Sequence, residues 1–159
     1  MNVEDIMTKE VITVKPETKV TEVARILYER NFNGLPVVDD SGAVLGLITQ
    51  ADLLTKDSFG THIPSFIKML VDFQAIKTAE GEERKGIENI LRIDAQSVMD
   101  TGYVSIFPQA SVTELLGIFN KKQVNPVLVI DENKKMKGIV SRSDIMKLIG
   151  KIGEVEFSE

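Results

Sequence analysis

Shifted by 92 positions, the sequence lies over itself without a gap, and this self-similarity constrains the fold more than any other feature. Residues 3–54, VEDIMTKEVITVKPETKVTEVARILYERNFNGLPVVDDSGAVLGLITQADLL, fall on residues 95–146, AQSVMDTGYVSIFPQASVTELLGIFNKKQVNPVLVIDENKKMKGIVSRSDIM. Met7 matches Met99, Pro16 matches Pro108, and Val20-Thr21-Glu22 matches Val112-Thr113-Glu114. Asn33, Asp39, Gly46 and Asp52 match Asn125, Asp131, Gly138 and Asp144. A unit of about 50 residues buries too little surface to be secure alone. Two such units that share a core solve that problem, so the chain reads as a tandem pair.

Each unit gives the same local pattern. Val11 to Val14 alternates as a strand that ends at Pro16. Val20, Val23, Ile26 and Leu27 recur at helical spacing, and Ser111 with Glu114 forms a capping box at the equivalent start. Leu35–Val38 and Val44–Thr49 are apolar runs joined by the turn signal Asp39-Asp40-Ser41-Gly42, hence a hairpin. A second helix is expected from Ala51, with its counterpart over Ser143–Ile149. The predicted architecture is α+β: two β-α-β-β-α units packed sheet to sheet about a pseudo-two-fold axis, plus a helical insert. The units are expected at 1–56 and 95–150, the insert at 57–94 and a frayed tail at 151–159. Within the insert, His62–Ile76 carries the apolar stripe Phe66, Ile67, Leu70, Val71 and Phe73 and reads as a helix, for a covered edge or for a partner surface. Lys77–Asn89 reads as a polar turn or solvated helix start, and Ile87, Ile90 and Leu91 as a short helix. Met69, Met99, Met136 and Met146 read as core filling.

Composition removes several classes of function. There is no cysteine and only one histidine, His62, so thiolate zinc sites, iron–sulfur clusters, cysteine nucleophiles and multi-histidine metal centres are excluded. A net charge of -5 argues against nucleic acid as a partner. No apolar run approaches the ~18 residues of a membrane span. The acidic start, MNVEDIMTKEV, has no apolar h-region, so no signal peptide is expected and the cytoplasm is the expected compartment.

The matched tetrads Gly46-Leu-Ile-Thr49-Gln-Ala-Asp52 and Gly138-Ile-Val-Ser141-Arg-Ser-Asp144 each set a hydroxyl and a carboxylate three residues apart where a strand gives way to a helix. Two readings fit that spacing. One is a capping box, in which the carboxylate reaches back to a free amide. The other is a nucleotide site, in which the carboxylate takes ribose hydroxyls and the hydroxyl takes phosphate.

At these residues the chain resembles tandem CBS domains, the Bateman module. The resemblance rests on Asp5-Ile6-Met7-Thr8, Leu35-Pro36-Val37-Val38-Asp39, Gly42 and the Gly46–Asp52 tetrad with Leu53-Leu54. In the second unit it rests on Val98-Met99, Val127-Leu128-Val129-Ile130-Asp131 and the Gly138–Asp144 tetrad. The second unit departs in three places. Pro126 stands where the first has Gly34, Leu128 stands for Pro36, and the turn Glu132-Asn133-Lys134-Lys135 lacks the glycine.

The resemblance implies a regulatory module that needs no cofactor and binds an adenosine-containing ligand, of the AMP, ADP and ATP class or S-adenosylmethionine, in clefts between the units. Carried over, one cleft uses Leu47, Thr49 and Asp52, with Val104, Val124 and Asn125 toward the base. The other uses Ile139, Ser141, Ser143 and Asp144, with Ile12, Phe32 and Asn33 toward the base. The second is the favoured one, because it has two hydroxyls, Arg142 nearby and the aromatic Phe32. The resemblance also implies a homodimer, and an effector protein acting in trans. The competing expectation is a dimerisation or protein-interaction module indifferent to ligands. Catalysis is not expected, since there is no Ser/His/Asp set and no G-x-x-x-x-G-K-[ST] loop.

Overall fold

The computed structural model describes residues 1–55 and 77–154. A 3-10 turn at Val3–Asp5 precedes helix α1 (Val20–Arg30), strands β1 (Gly34–Val38) and β2 (Val44–Thr49), and helix α2 (Gln50–Thr55). Helices α3 (Gly81–Arg92) and α4 (Ala95–Val98) lead to strand β3 (Ser105–Ile106) and helix α5 (Val112–Lys121). Strands β4 (Val127–Ile130) and β5 (Met136–Val140) and helix α6 (Arg142–Ile152) complete the chain. The fold is mixed α+β with two matching units, as expected. The helix expected at 62–76, with His62, Met69 and the apolar stripe, lies outside the described residues, as does the end of the tail.

The hairpins form as the apolar runs dictate. β1 pairs antiparallel with β2, β4 pairs antiparallel with β5, and β3 adds to β4 in parallel. Every residue of β1 and of β4 is buried, because alternate side chains serve different cores. Leu35 and Val37 join α1 and Ile48 in the first unit's core, and Val127 and Val129 join Leu115 and Val140 in the second. Val38, Val44 and Leu47 meet Leu128 and Ile130 in a third cluster drawn from both units. Sheet faces sheet there, which is why neither hairpin shows a solvent-facing polar alternation.

Three local outcomes differ from the sequence reading. The strand expected at Val11–Val14 contracts to one parallel bridge, Val14 to Val37. In the second unit the Leu128 N–H donates to the Val104 carbonyl at 3.1 Å. The matching position is Pro36, which has no N–H, so the ladder cannot extend to Ile12. Second, α3 runs from Gly81 to Arg92 and is longer than Ile87, Ile90 and Leu91 alone suggest. Glu82 and Glu83 in its first turn and Arg92 in its last complement the helix dipole, and Arg84 pairs with Glu88 one turn on. Third, Met146 is not core filling: it is 60% exposed, whereas Met99 and Met136 do pack against buried residues.

The repeat offset is also a symmetry operation. Thr8 bridges Ile139 and, 92 positions on, Asp100 bridges Leu47. Asn2 bridges Ser111, and Asp94 bridges Lys19 in the same way. Ala43 bridges Lys135, its own equivalent, so the pseudo-two-fold axis passes between them. The units therefore exchange their leading segments. Val3, Ile6 and Met7 pack into the second unit's core, while Ala95, Val98 and Met99 pack into the first.

Candidate functional site

Both tetrads form the expected strand-to-helix corner. At the first, Asp52 Oδ2 accepts from the Thr49 N–H at 2.8 Å and from its Oγ1 at 2.9 Å. At the second, Asp144 Oδ2 accepts from the Ser141 N–H at 2.7 Å and from its Oγ at 2.9 Å. The two carboxylates are held in one pose by one set of partners, and the second corner is a capping box at α6. Capping uses Oδ2 in each case. The Asp144 Oδ1 lies 3.9 Å from Lys147 Nζ. Both carboxylates are half-buried. The glycines that open the tetrads keep the strands close to the exchanged segments. A Cβ on Gly46 would stand 2.8 Å from Met99 Sδ, and one on Gly138 would stand 2.5 Å from Met7 Sδ and 2.9 Å from the Thr8 carbonyl oxygen.

A cleft of about 670 Å³ opens at the first tetrad, between the units. Leu47, Thr49 and Asp52 line one side and Val104, Val124 and Asn125 the other, so the structure brings these six expected residues to one wall-to-wall space. Its size is that of a small-molecule site. Asn33 and Arg142, which the sequence reading grouped with Asp144, also border this cleft. Ile12, Phe32, Ile139, Ser141, Ser143 and Asp144 do not border it. Ile12 and Phe32 pack on the first core, Ile139 lies in the inter-unit cluster, and Ser141, Ser143 and Asp144 stand at the start of α6.

The cleft also takes in Asp100, Gly102, Tyr103 and Gln123, which sequence reasoning missed, and Pro126, which it named as a departure of the second unit. They sit in the turn after α4 and in the approach to β4, segments whose irregular backbone gives no periodic signal. Asp100 Oδ1 accepts from the Gly102 N–H at 2.8 Å and so shapes that turn. The Tyr103 hydroxyl donates to the Val44 carbonyl at 3.4 Å, and burial pushes its pKa up. Tyr103 thus stays neutral and braces one unit against the other. Asn125 Oδ1 accepts from the Arg142 N–H at 3.1 Å and ties the cleft wall to the first turn of α6. Gln50 Nε2 donates to the Phe32 carbonyl at 3.1 Å on the opposite side. Among the described residues no group of three or more His, Cys, Asp and Glu side chains converges to hold a metal, and no helix is long and apolar enough to cross a membrane.

Comparison with known proteins gives a consistent family. The CBS domain model matches residues 3–58 and 95–151. An uncharacterized protein of Methanocaldococcus jannaschii, MJ1232, is 29% identical over 97% of this chain and 42% of its own length. The chain spans less than half the length of the first curated relatives it matches. The CBS domain pair of protein MJ0100, solved with 5'-methylthioadenosine and S-adenosyl-L-methionine, is 24% identical, with a TM-score of 0.67 over 96% of this chain and 98% of that one. CBSX2 solved with AMP is 21% identical, with a TM-score of 0.69 over 96% of this chain and 98% of that one. The CBS-pair protein CBSX2 from Arabidopsis thaliana superposes with a TM-score of 0.72 at 21% identity, over 98% of each chain.

Proposed function

Since the chain belongs to the CBS domain family and carries its unit twice, we propose that it is a regulatory pair that binds an adenosine-containing ligand between its units. One observation carries this reading: a cleft with the Thr49–Asp52 corner on one unit and apolar Val104 and Val124 on the other. That set matches a nucleoside, whose ribose offers hydroxyls to a fixed carboxylate and whose base needs a flat apolar slot. The adenosine ligands held by the MJ0100 pair and by CBSX2 support the same class. The equal pose of Asp144 supports a second seat, with Ser141, Ser143 and Ile139 on one side and Ile12, Phe32 and Asn33 on the other. A ligand that touches both units stabilises one relative placement of them, and so biases whatever dimer or effector surface that placement offers.

Calorimetry with AMP, ADP, ATP and S-adenosylmethionine tests the proposal. Binding by at least one of them is expected, weakened about tenfold or more by Asp52→Ala, the loss expected when a hydrogen bond to a charged group is removed. No heat from any of the four would sink it. The competing reading, a ligand-independent interaction module, draws on the exposed Met146, Ile149 and Ile152 along α6. It predicts a particle size by light scattering that does not respond to any nucleotide.

A further inference from the structure

The charge on the cleft wall is unevenly divided. Three ionised side chains border it: Asp52, Asp100 and Arg142. Each carboxylate is engaged locally, Asp52 with Thr49 and Asp100 with the Gly102 N–H. Arg142 is anchored through its backbone, by the bond to Asn125 Oδ1. Among the described residues its guanidinium forms no ion pair, and the side chain is exposed. Position 142 is the two-fold equivalent of position 50, and both border the same cleft from opposite units. Gln50 is neutral and tied to the Phe32 carbonyl. The cation therefore comes from the unit that does not supply Asp52.

We propose that Arg142 is a specificity-determining residue that makes the Asp52 cleft select phosphorylated adenosine ligands over uncharged or cationic ones. The inference rests on the adenosine reading above and adds the charge of the ligand to it. A guanidinium offers paired N–H donors that match a phosphate's oxygens, and an ionised donor–acceptor pair is about twice as strong as a neutral one. Adenosine leaves that group unanswered, and a sulfonium ligand meets it with like charge. Because Arg142 approaches from the second unit, a phosphate would add one more contact across the cleft to those that the ribose and base already make on the two units. Phosphorylation would thus raise both affinity and the grip of one unit on the other.

Calorimetry on the full chain, with adenosine and AMP as the two probes, tests this. The wild type is expected to prefer AMP by about tenfold, and less at high salt. Arg142→Gln, which copies the residue at position 50, should erase the preference and leave adenosine affinity in place. Arg142→Lys should keep part of it. The side chain is exposed, so both variants should melt close to the wild type. Equal affinities in the wild type, or an unchanged preference in Arg142→Gln, overturn this inference while the adenosine reading stands. If neither probe binds, this inference fails, while the adenosine reading is decided separately by the four-ligand calorimetry above.

Discussion

Residues 34 and 126 are two-fold equivalents, and they meet. A Cβ built on Gly34 would stand 2.9 Å from Pro126 Cδ, 3.2 Å from Leu47 Cδ1 and 3.3 Å from the Ile48 carbonyl oxygen. The glycine in one repeat and the proline in the other are therefore one arrangement, not two independent departures: the space there takes a single ring. Gly34→Ala is expected to cost about 1–3 kcal/mol by overpacking, read as a lower urea midpoint with an unchanged slope. Position 134 carries a related lesson. Gly42 has φ 82°, and its equivalent Lys134 adopts φ 60° without being a glycine. Lys134→Gly should relieve that strain and raise stability by up to about 1 kcal/mol, a gain of about 2–4 °C in Tm. The same hairpins hold an acid-sensitive device. Hydrogen bonds from the Ser41 hydroxyl and the Ala43 N–H hold Asp39 below its ordinary pKa. The Lys135 N–H, with Lys137, does the same for Asp131. A depressed carboxylate stabilises the fold above its unfolded pKa, and that contribution disappears as pH falls through the folded value. Asp39→Asn with Asp131→Asn should therefore flatten the fall in Tm as pH drops below about 4.

At the scale of elements, the two copies of each helix and strand serve as controls for one another. Helix α5 starts with Ser111 and Glu114 in a full capping box, whereas α1 starts at Lys19 with no side-chain cap and Glu22 bonded to Arg25 instead. Lys19→Ser would recreate the box with Glu22, and about 0.5–1 kcal/mol of added stability is expected by urea unfolding. Much of this level was legible in the sequence. The hairpins, α1 and the Ser111 cap all follow from local chemistry, as do the tetrad corners. What was not legible depended on partners. The strand at Val11–Val14 has the right residues, but its ladder is cut by a proline in a neighbouring strand. The cleft that Arg142 borders is set by how α6 docks, so the sequence could name it as a nucleotide-site residue but grouped it with Asp144 and not with Asp52. Met146 matches an apolar pattern, yet it sits mid-way along α6 on its exposed face.

At the scale of the molecule, the exchange of leading segments decides the cooperativity. Val3 is fully buried among Ile106, Leu115 and Val140, far along the chain from its own unit. Val3→Ala should cost about 2 kcal/mol, and hydrogen exchange should accelerate in β4 and β5 rather than in β1 and β2. A fragment of residues 1–56 lacks Ile90, Ala95 and Val98, which complete the first core, so its circular dichroism should be that of an unfolded chain. The repeat announced two units, but it could not announce this exchange. Val3 and Ala95 occupy equivalent positions, and the pattern is the same whichever core each one enters. A chain with one such unit could bury its apolar side chains only by trading its first residues with a second copy, and would fall apart on dilution. Joined head to tail, the two copies trade within one molecule, where the partner's concentration is set by a linker and no longer by how much protein the cell makes.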